Sequence, residues 1–291
     1  MTMLYHYTSL QGLIGIISNR SIWCSHCEYL NDSSEFNQAI DFAKIASGSI
    51  FMDDDYLASR GYAIRHAIEN MEKHNVFVTS FSEKADLLSQ WRGYCPQGSG
   101  ISLGFDQDLV KKYCEAKGFR LEKCIYDPKM LAIFIHSFIK ESLEQLPQLK
   151  LTREEFNKLS SIERCEFELS SRVDVYSKEH KDLSSKAIIN LYKKLNEYAP
   201  LLKNQGFHEE TEWRIIVNNP QVDISYRPSK SYLIPYLILP ILNEHPEILK
   251  EIYIGPNPET ARCKTSIEYL LNDKNIKDVE IKISKIPFTS W

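Results

Sequence analysis

The sequence predicts an α+β protein, because strand-like segments come in clusters that helices interrupt without regular alternation. Runs rich in β-branched and aromatic residues, such as Val76–Ser80, indicate the strands. Apolar residues that recur at the spacing of one helical face indicate the helices. With 291 residues and a hydrophobic content of 43%, the chain can bury a sizeable core. We expect a single domain over residues 1–291, with a mainly helical insertion at about 128–202.

The first half of the chain is predicted to contain short strands and capped helices. Ser9 is the predicted N-cap of the first helix, and Asp106 that of a later one. The predicted strands are Leu4–Thr8, Ser21–Cys24, Val76–Ser80 and Ile101–Phe105. Further helices are predicted from the Asn31–Glu35 turn to about Ala46, from about Asp55 to His74, through Trp91–Arg92, and from Asp106 to Lys117.

The second half is predicted to return to strands after the helical insertion. A helix is expected at about 258–271, between the last two strands. The predicted strands are Glu212–Val217, Tyr232–Leu237, Glu251–Ile254 and Val279–Ser284.

Composition argues against several classes of protein. The formal net charge is -4, so no broad nucleic-acid surface is expected. There is no signal-peptide pattern and no apolar run of about 18 residues, so we expect a cytoplasmic protein without a membrane partner. Seven scattered cysteines do not form a disulfide pattern. Cys24 and Cys27 have C-x-x-C spacing, for which buried thiols are a commoner explanation than a zinc or redox site.

The segment around Trp213 carries the most informative charges. Because alternate residues of a strand share a face, Trp213 belongs to a core face, and Glu210, Glu212 and Arg214 to the opposite one. One interpretation is a solvent-facing strand at a sheet edge. The other is the wall of a cleft, in which Arg214 orients a carboxylate.

Other polar residues lie where strands end. Ser80 and Ser82 follow a predicted strand, where hydroxyl groups reach a ligand or simply form a turn. Arg92 is a candidate phosphate-binding residue or a partner in a structural salt bridge. His6 and Thr8 share a strand face before a helix N-terminus, which favours anions. A lone histidine in a strand is more often structural than catalytic.

The order of these segments resembles an uncharacterised prokaryotic family of unknown function. The resemblance rests on YHYTS, LND..E, TSFSE, LLSQWRGY, GISLGFD, EETEWRIIV and EIYIGP, in this order. These segments together span nearly the whole chain except its helical middle.

More remotely, the layout is similar to that of ADP-ribosyltransferases such as DarT, a DNA-modifying toxin. In that superfamily an early strand carries His or Arg, a middle strand carries an S-T-S-like element, and a late strand carries a catalytic Glu, often as E-x-E. His6, Thr79-Ser80-Phe81-Ser82 and Glu210-Thr211-Glu212 occur in that order here. Phe81 departs from a strict S-T-S. The resemblance implies a split antiparallel or mixed sheet with flanking helices.

The resemblance also implies an activity: NAD as substrate, no metal, and a macromolecular acceptor (RNA, DNA or protein). The resemblance further implies a role as a toxin or anti-phage effector that has an antitoxin or regulatory partner. Glu212 would stabilise an oxocarbenium-like ribose, and Glu210 would orient or deprotonate the acceptor. His6 would hydrogen-bond a ribose hydroxyl. The residues implied to bind NAD are His6, Tyr7, Thr8, Ser80, Ser82, Arg92 and Tyr94.

Two alternatives belong to other functional classes. In the first, Glu210, Glu212 and Asp32 hold a divalent metal in an enzyme that processes nucleic acids or nucleotides. In the second, the chain has no catalytic activity, and the helices between about 128 and 202 bind a partner protein.

Overall fold

The protein is mixed α/β, with a large open mixed sheet and flanking helices, as the sequence predicts. The computed structural model describes residues 2–30, 34–52, 54–69, 75–146, 148–174 and 178–287. The chain packs into two units. The sheet unit comprises residues 1–31, 75–126 and 203–291, and the helical unit comprises residues 32–74 and 127–202. The prediction of a single domain stays a prediction, and Asp32 lies outside the described residues.

All of the described strands belong to the sheet unit. They are β1 Met3–Ser9, β2 Ile22–His26, β3 Val76–Ser82, β4 Gly100–Asp106, β5 Arg120–Lys123, β6 Glu212–Asn218, β7 Ser225–Pro228, β8 Leu233–Leu239, β9 Leu249–Ile254 and β10 Glu280–Ile283.

The described helices are divided between the two units. Those of the sheet unit are α1 Leu10–Asn19, α4 Leu88–Tyr94, α5 Gln107–Lys117, α10 Ile241–Glu244 and α11 Thr260–Asp273. Those of the helical unit are α2 Ser34–Met52, α3 Asp55–Glu69, α6 Pro128–Gln145, α7 Arg153–Asn157, α8 Ser161–Asp174 and α9 Lys178–Tyr198. None of the described helices is long and apolar enough to span a membrane.

Two helix caps are confirmed. The side chain of Ser9 accepts a hydrogen bond from Gly12 N at 3.0 Å, and the Oδ1 atom of Asp106 accepts bonds from the first turn of α5. These side chains satisfy backbone N–H groups that have no partner within their own helix.

Two short strands, β5 and β7, are not predicted from the sequence. β5 (R-L-E-K) has a single apolar residue, and β7 (S-Y-R-P) also has just one large apolar side chain. Each forms because a neighbouring strand offers its backbone: β5 pairs with β6, and β7 with β8. Composition alone therefore gives a weak signal for such edge strands.

The sheet has the strand order β10-β9-β4-β1-β3-β2-β8-β7, and β6 joins β3 to β5. The β9–β10 pair is parallel and every other described pair is antiparallel. The main core lies against one face of this sheet. It includes Leu4, Phe81, Phe105, Ile215 and Ile252.

The sheet splits at β3. One edge of β3 pairs with β6 along its whole length, from Val76 to Ser82. The other edge pairs with β2 at Phe77 and Val78, and with β1 at Ser82. Between those two contacts, β3 has no strand partner on that edge.

Side chains bridge this gap where the backbone ladder is interrupted. The Nδ1 atom of His6 lies 3.0 Å from the carbonyl oxygen of Ser80, and Thr79 donates a hydrogen bond of 2.7 Å from Oγ1 to the carbonyl oxygen of Trp23. The ring of His6 also lies 5.8 Å from that of Phe81. His6 therefore has a structural role: its ring replaces a backbone donor that the split removes.

His6 gives the stability of the protein a pH dependence. Burial lowers the pKa of His6 from its ordinary value of 6.5, although its hydrogen bond to Ser80 acts in the opposite direction. Below pH 6.5 the unfolded chain binds the proton more readily than the folded one, so stability falls as the pH is lowered through this range. We expect the free energy of unfolding, measured in urea, to fall more between pH 7.5 and 5.5 in the native chain than in His6→Gln.

The exposed His208 supplies the control for this experiment. His208→Gln should keep the pH dependence of the native chain. Equal pH dependence of the native chain and His6→Gln would contradict the assignment.

Candidate functional site

The two faces of the sheet separate the predicted site residues. Residues that lie directly opposite each other in neighbouring strands share a face, and Ser82 lies opposite both Tyr5 and Glu212. We call the face that carries Tyr5, Tyr7, Ser80, Ser82, Glu212 and Arg214 the polar face, and the face that carries Leu4, Phe81 and Ile215 the core face. By alternation, His6 and Thr8 lie on the core face.

The structure therefore does not bring His6 and Glu212 together. The contact between the rings of His6 and Phe81 confirms that the imidazole points to the core face. Thr8 lies beside the start of α1, where its carbonyl oxygen accepts a hydrogen bond of 3.2 Å from Cys95 Sγ. The sheet register places His6 and Thr8 on the face opposite to that of Glu212, so the three side chains do not line one cleft. Catalytic or ligand-binding roles for His6 and Thr8 stay predictions.

A cluster of four buried charges lies on the polar face at the start of β6. Lys203 Nζ contacts Glu210 Oε2 at 2.9 Å and also forms an ion pair with Glu212 Oε2. Arg214 Nε donates a hydrogen bond of 2.6 Å to Glu212 Oε1. The side chains of all four residues are at most 7% exposed. The interpretation of Glu210, Glu212 and Arg214 as a solvent-facing edge is therefore wrong.

Glu210 lies outside the strand in which the sequence places it. It ends a 3-10 helix, Gln205–Glu210, and Thr211 follows with a φ of 42°, in the left-handed region. The two carboxylates on either side of this turn both contact Lys203. The turn is held in place because Ser82 Oγ donates a hydrogen bond of 2.6 Å to the carbonyl oxygen of Glu210.

Glu212 and Lys203 both keep their charges at neutral pH. Burial raises the pKa of Glu212, but the charges of Arg214 and Lys203 outweigh it and lower that pKa to about 2. Burial lowers the pKa of Lys203, but the charge of Glu212 and hydrogen bonds to both carboxylates raise it above its ordinary value. Two carboxylates and two cations make the cluster neutral as a set, which offsets much of the cost of removing charge from water.

Aromatic residues surround the cluster. The hydroxyl group of Tyr126 accepts a hydrogen bond of 2.8 Å from Glu212 N, and the ring of Phe207 lies 5.1 Å from Lys203 Nζ. Phe207 belongs to an exposed segment, residues 204–209, that follows Lys203 directly. Tyr94, at the end of α4, contributes to the electrostatic environment of Lys203. Aromatic side chains therefore contact both Lys203 and the backbone of Glu212.

The remaining predicted residues have structural contacts of their own. Ser82 Oγ also accepts a hydrogen bond of 3.0 Å from Lys84 N. Tyr7 donates to the carbonyl oxygen of Lys84 at 2.7 Å and accepts from Leu87 N at 3.1 Å. Ser80 is partly buried, and its carbonyl oxygen bonds His6. Arg92 lies on α4 and is exposed, as is Tyr94.

Neither Lys203 nor Tyr126 is among the residues predicted from the sequence. Lys203 follows the apolar run Ala199–Leu202, and neither its neighbours nor its spacing from Glu212 mark it as a charge partner. The usable signal was the pair of carboxylates on one strand face, which need cations if that face is buried. Tyr126 gave no comparable signal.

The described residues include no group of three or more His, Cys, Asp or Glu side chains placed to hold a metal ion. Cys24 and Cys27 are both buried free thiols. Burial is the largest influence on the thiol of Cys27 and raises its pKa to about 12. Neither thiol therefore has the low pKa of a reactive cysteine.

Comparison with known proteins gives one match. The family model described as "Protein of unknown function (DUF2971)" matches residues 90–215. The matched segment runs from α4 into β6, so it includes the four members of the charge cluster. The predicted resemblance to an uncharacterised family is confirmed over residues 90–215, a range that includes the helical middle of the chain. The segments YHYTS, LND..E, TSFSE and EIYIGP lie outside the matched range. No curated protein and no solved structure matches the chain.

Removing Lys203 tests the charge cluster directly. We expect Lys203→Met to lower the free energy of unfolding by about 3–5 kcal/mol at pH 7, because two buried carboxylates lose their shared cation. The loss should shrink progressively as the pH falls from 4.5, where glutamates of the unfolded chain become protonated, towards 2, where Glu212 of the folded protein does. Urea unfolding at pH 7 and at about pH 2.5 measures both effects.

Lys117→Met is the matched control, because Lys117 forms an ion pair of 2.9 Å with Glu244 while about 40% of its side chain is exposed. That change should cost no more than about 1 kcal/mol. Equal losses from the two substitutions would contradict a buried cluster.

Proposed function

We propose that the chain is an ADP-ribosyltransferase that acts on NAD, with Glu212 as its central carboxylate. The observation that carries this proposal is the placement of Glu212: a carboxylate only 4% exposed, held between Lys203 and Arg214, whose charges lower its pKa to about 2. Strongly perturbed ionisable groups are concentrated at functional sites, although structural ion pairs also produce them.

An ionised carboxylate suits the chemistry of NAD cleavage. The bond between ribose C1′ and the nicotinamide nitrogen breaks, and its electron pair leaves with nicotinamide, which becomes neutral. Positive charge develops on the ribose, and Glu212 would stabilise that charge or hold the 2′-hydroxyl. An acceptor nucleophile then bonds to C1′ and gives its proton to a base, the role proposed for Glu210.

In this proposal, Lys203 positions the two carboxylates. Its ion pairs with Glu210 and Glu212 hold the two carboxylates close together without requiring that either be protonated. Glu212 is nearly inaccessible, so its reaction with a substrate requires that the exposed segment 204–209 and Phe207 move away from Lys203. His6 and Thr8, on the core face, take no part in this version of the mechanism.

The acceptor in this proposal is a macromolecule (RNA, DNA or protein), and the biological role is that of a toxin or anti-phage effector. The overall acidic balance, a net charge of -4, favours an acceptor that enters as a single reactive group over one bound along a long nucleic-acid surface.

Glu212→Gln tests the proposal. We expect nicotinamide release from NAD to fall by about 10²–10³-fold, because the substitution removes the charge that stabilises the ribose in the transition state. The assay is chromatographic detection of nicotinamide, with labelled NAD to find a modified acceptor.

Glu209→Gln is the matched control, because Glu209 is exposed and is close in sequence. It should release nicotinamide at the native rate. Circular dichroism and urea unfolding show whether Glu212→Gln remains folded. The absence of NAD binding by calorimetry in the folded native chain would overturn the proposal.

A second candidate function, binding of a partner protein by the helical unit, is favoured by helix α8. Ile162 and Leu169 are 73% and 58% exposed, and Cys165 between them is also exposed. Spacings of three and four residues place these side chains on one side of α8. An apolar stripe on an otherwise polar helix is a typical contact surface for a partner helix.

Charged substitutions on α8 separate the two candidates. Under partner binding, Ile162→Lys combined with Leu169→Lys abolishes any effect of the expressed chain on bacterial growth, whereas Glu212→Gln leaves it intact. Each exposed substitution should change the free energy of unfolding by less than about 0.5 kcal/mol. Glu166→Lys, on the same helix, is the control for added charge. Loss of the effect in Glu212→Gln alone would instead favour catalysis.

A further inference from the structure

A cavity of about 230 Å³ lies beside α4 in the sheet unit. Its walls come from α4, the loop of residues 95–100, Pro256 beyond β9, and the pair Ile286 and Pro287 beyond β10. None of Lys203, Glu210, Glu212 or Arg214 lines it. Its volume suits a ring-sized ligand rather than a peptide or a polymer.

Trp91 forms a rigid wall of the cavity. Its indole Nε1 donates a hydrogen bond of 2.8 Å to Asp86 Oδ1, and its ring packs edge-on to Tyr7 at 4.7 Å. Gly100 and Gly255 let the backbone approach the ring. A Cβ atom at either glycine would lie only 2.9 or 2.8 Å from a ring carbon of Trp91.

Asp86 also fixes the opposite wall. Ser284 Oγ donates to Asp86 Oδ1 at 2.6 Å, and Lys285 N donates to Asp86 Oδ2 at 2.8 Å. Ile286 is then positioned by its own N–H, which donates to Ser284 Oγ at 3.0 Å. One carboxylate therefore ties both walls to each other in the folded protein, so a ligand would find the cavity already formed.

The lining is mostly apolar, and its polar side chains are those of Cys95, Gln97 and Arg92. Trp91, Pro96, Pro256 and Ile286 present apolar surface. Among the described residues that line the cavity, Arg92 alone carries a formal charge. A guanidinium group has the planar fork that matches an oxyanion with two hydrogen bonds. We propose that this cavity binds a small organic anion, whose ring-sized apolar body packs on Trp91 and whose carboxylate or phosphate is held by Arg92.

This inference does not depend on the proposed transferase activity. The ligand class contains neither ribose nor nicotinamide, and Glu212 does not contact the cavity. Failure of either proposal leaves the other standing.

Isosteric probes test the cavity. 2-Naphthoate and 2-naphthamide have the same ring and nearly the same shape, and the first alone is an anion. We expect calorimetry on the full chain to show 2-naphthoate binding at least about tenfold more tightly than 2-naphthamide, because charge-assisted hydrogen bonds exceed neutral ones. Arg92→Gln should remove that preference.

Two further variants test whether the probes bind in this cavity and whether Arg92 is specifically required. Leu88→Trp, at a partly exposed position on the rim, should abolish binding of both probes by filling the cavity. Arg262→Gln removes an exposed arginine that does not line the cavity and should leave both affinities unchanged. Equal affinity for the two probes, unchanged binding in Arg92→Gln, or no binding of either probe at millimolar concentration would overturn the proposal.

Discussion

The buried charges of Lys203, Glu210, Glu212 and Arg214 balance only as a set, and the arrangement around β6 depends on that balance. An unpaired charge at this depth costs several kcal/mol, so each member fixes where the others lie. Lys203 ties the segment before β6 to the strand itself. Both carboxylates can contact one ammonium group because the chain turns at Thr211. The hydrogen bond from Ser82 to the carbonyl oxygen of Glu210 holds that turn in place.

The charge cluster and the split in the sheet lie on either side of the same strand, β3. β6 is the continuous neighbour of β3, while β1 and β2 each cover only part of its other edge. Side chains of His6 and Thr79 occupy the interrupted edge, and the charges of Glu212 and Arg214 lie next to the continuous one. Polar groups therefore accumulate around β3 for two different physical reasons. One is a missing backbone partner, and the other is a buried ion network.

Much of the fold could be predicted from the sequence, because alternation and helical spacing are local properties. β1, β3, β4 and β6 were found within two residues of their observed ends. The pairing between strands could not be predicted, because register depends on contacts between distant segments. Alternation places His6 and Thr8 on one face of β1, but whether that face matches the face of Glu212 depends on Tyr5 lying opposite Ser82. A register slip of one residue would place His6 and Thr8 on the same face as Glu212. Lys203 was missed because the turn that brings it back depends on a left-handed residue, Thr211, that is not a glycine.

Asp86 makes the completion of the sheet unit depend on a residue far along the chain. Its partner Ser284 is 198 residues further along the chain. At a translation rate of about 5–20 residues per second, roughly 10–40 s pass before that partner leaves the ribosome's catalytic centre. During this interval Trp91 can pack against Tyr7, but the wall formed by Ile286 and Pro287 does not yet exist. The cavity is therefore among the last parts of the sheet unit to close, and a newly made chain exposes the apolar surface around Trp91 before it is complete.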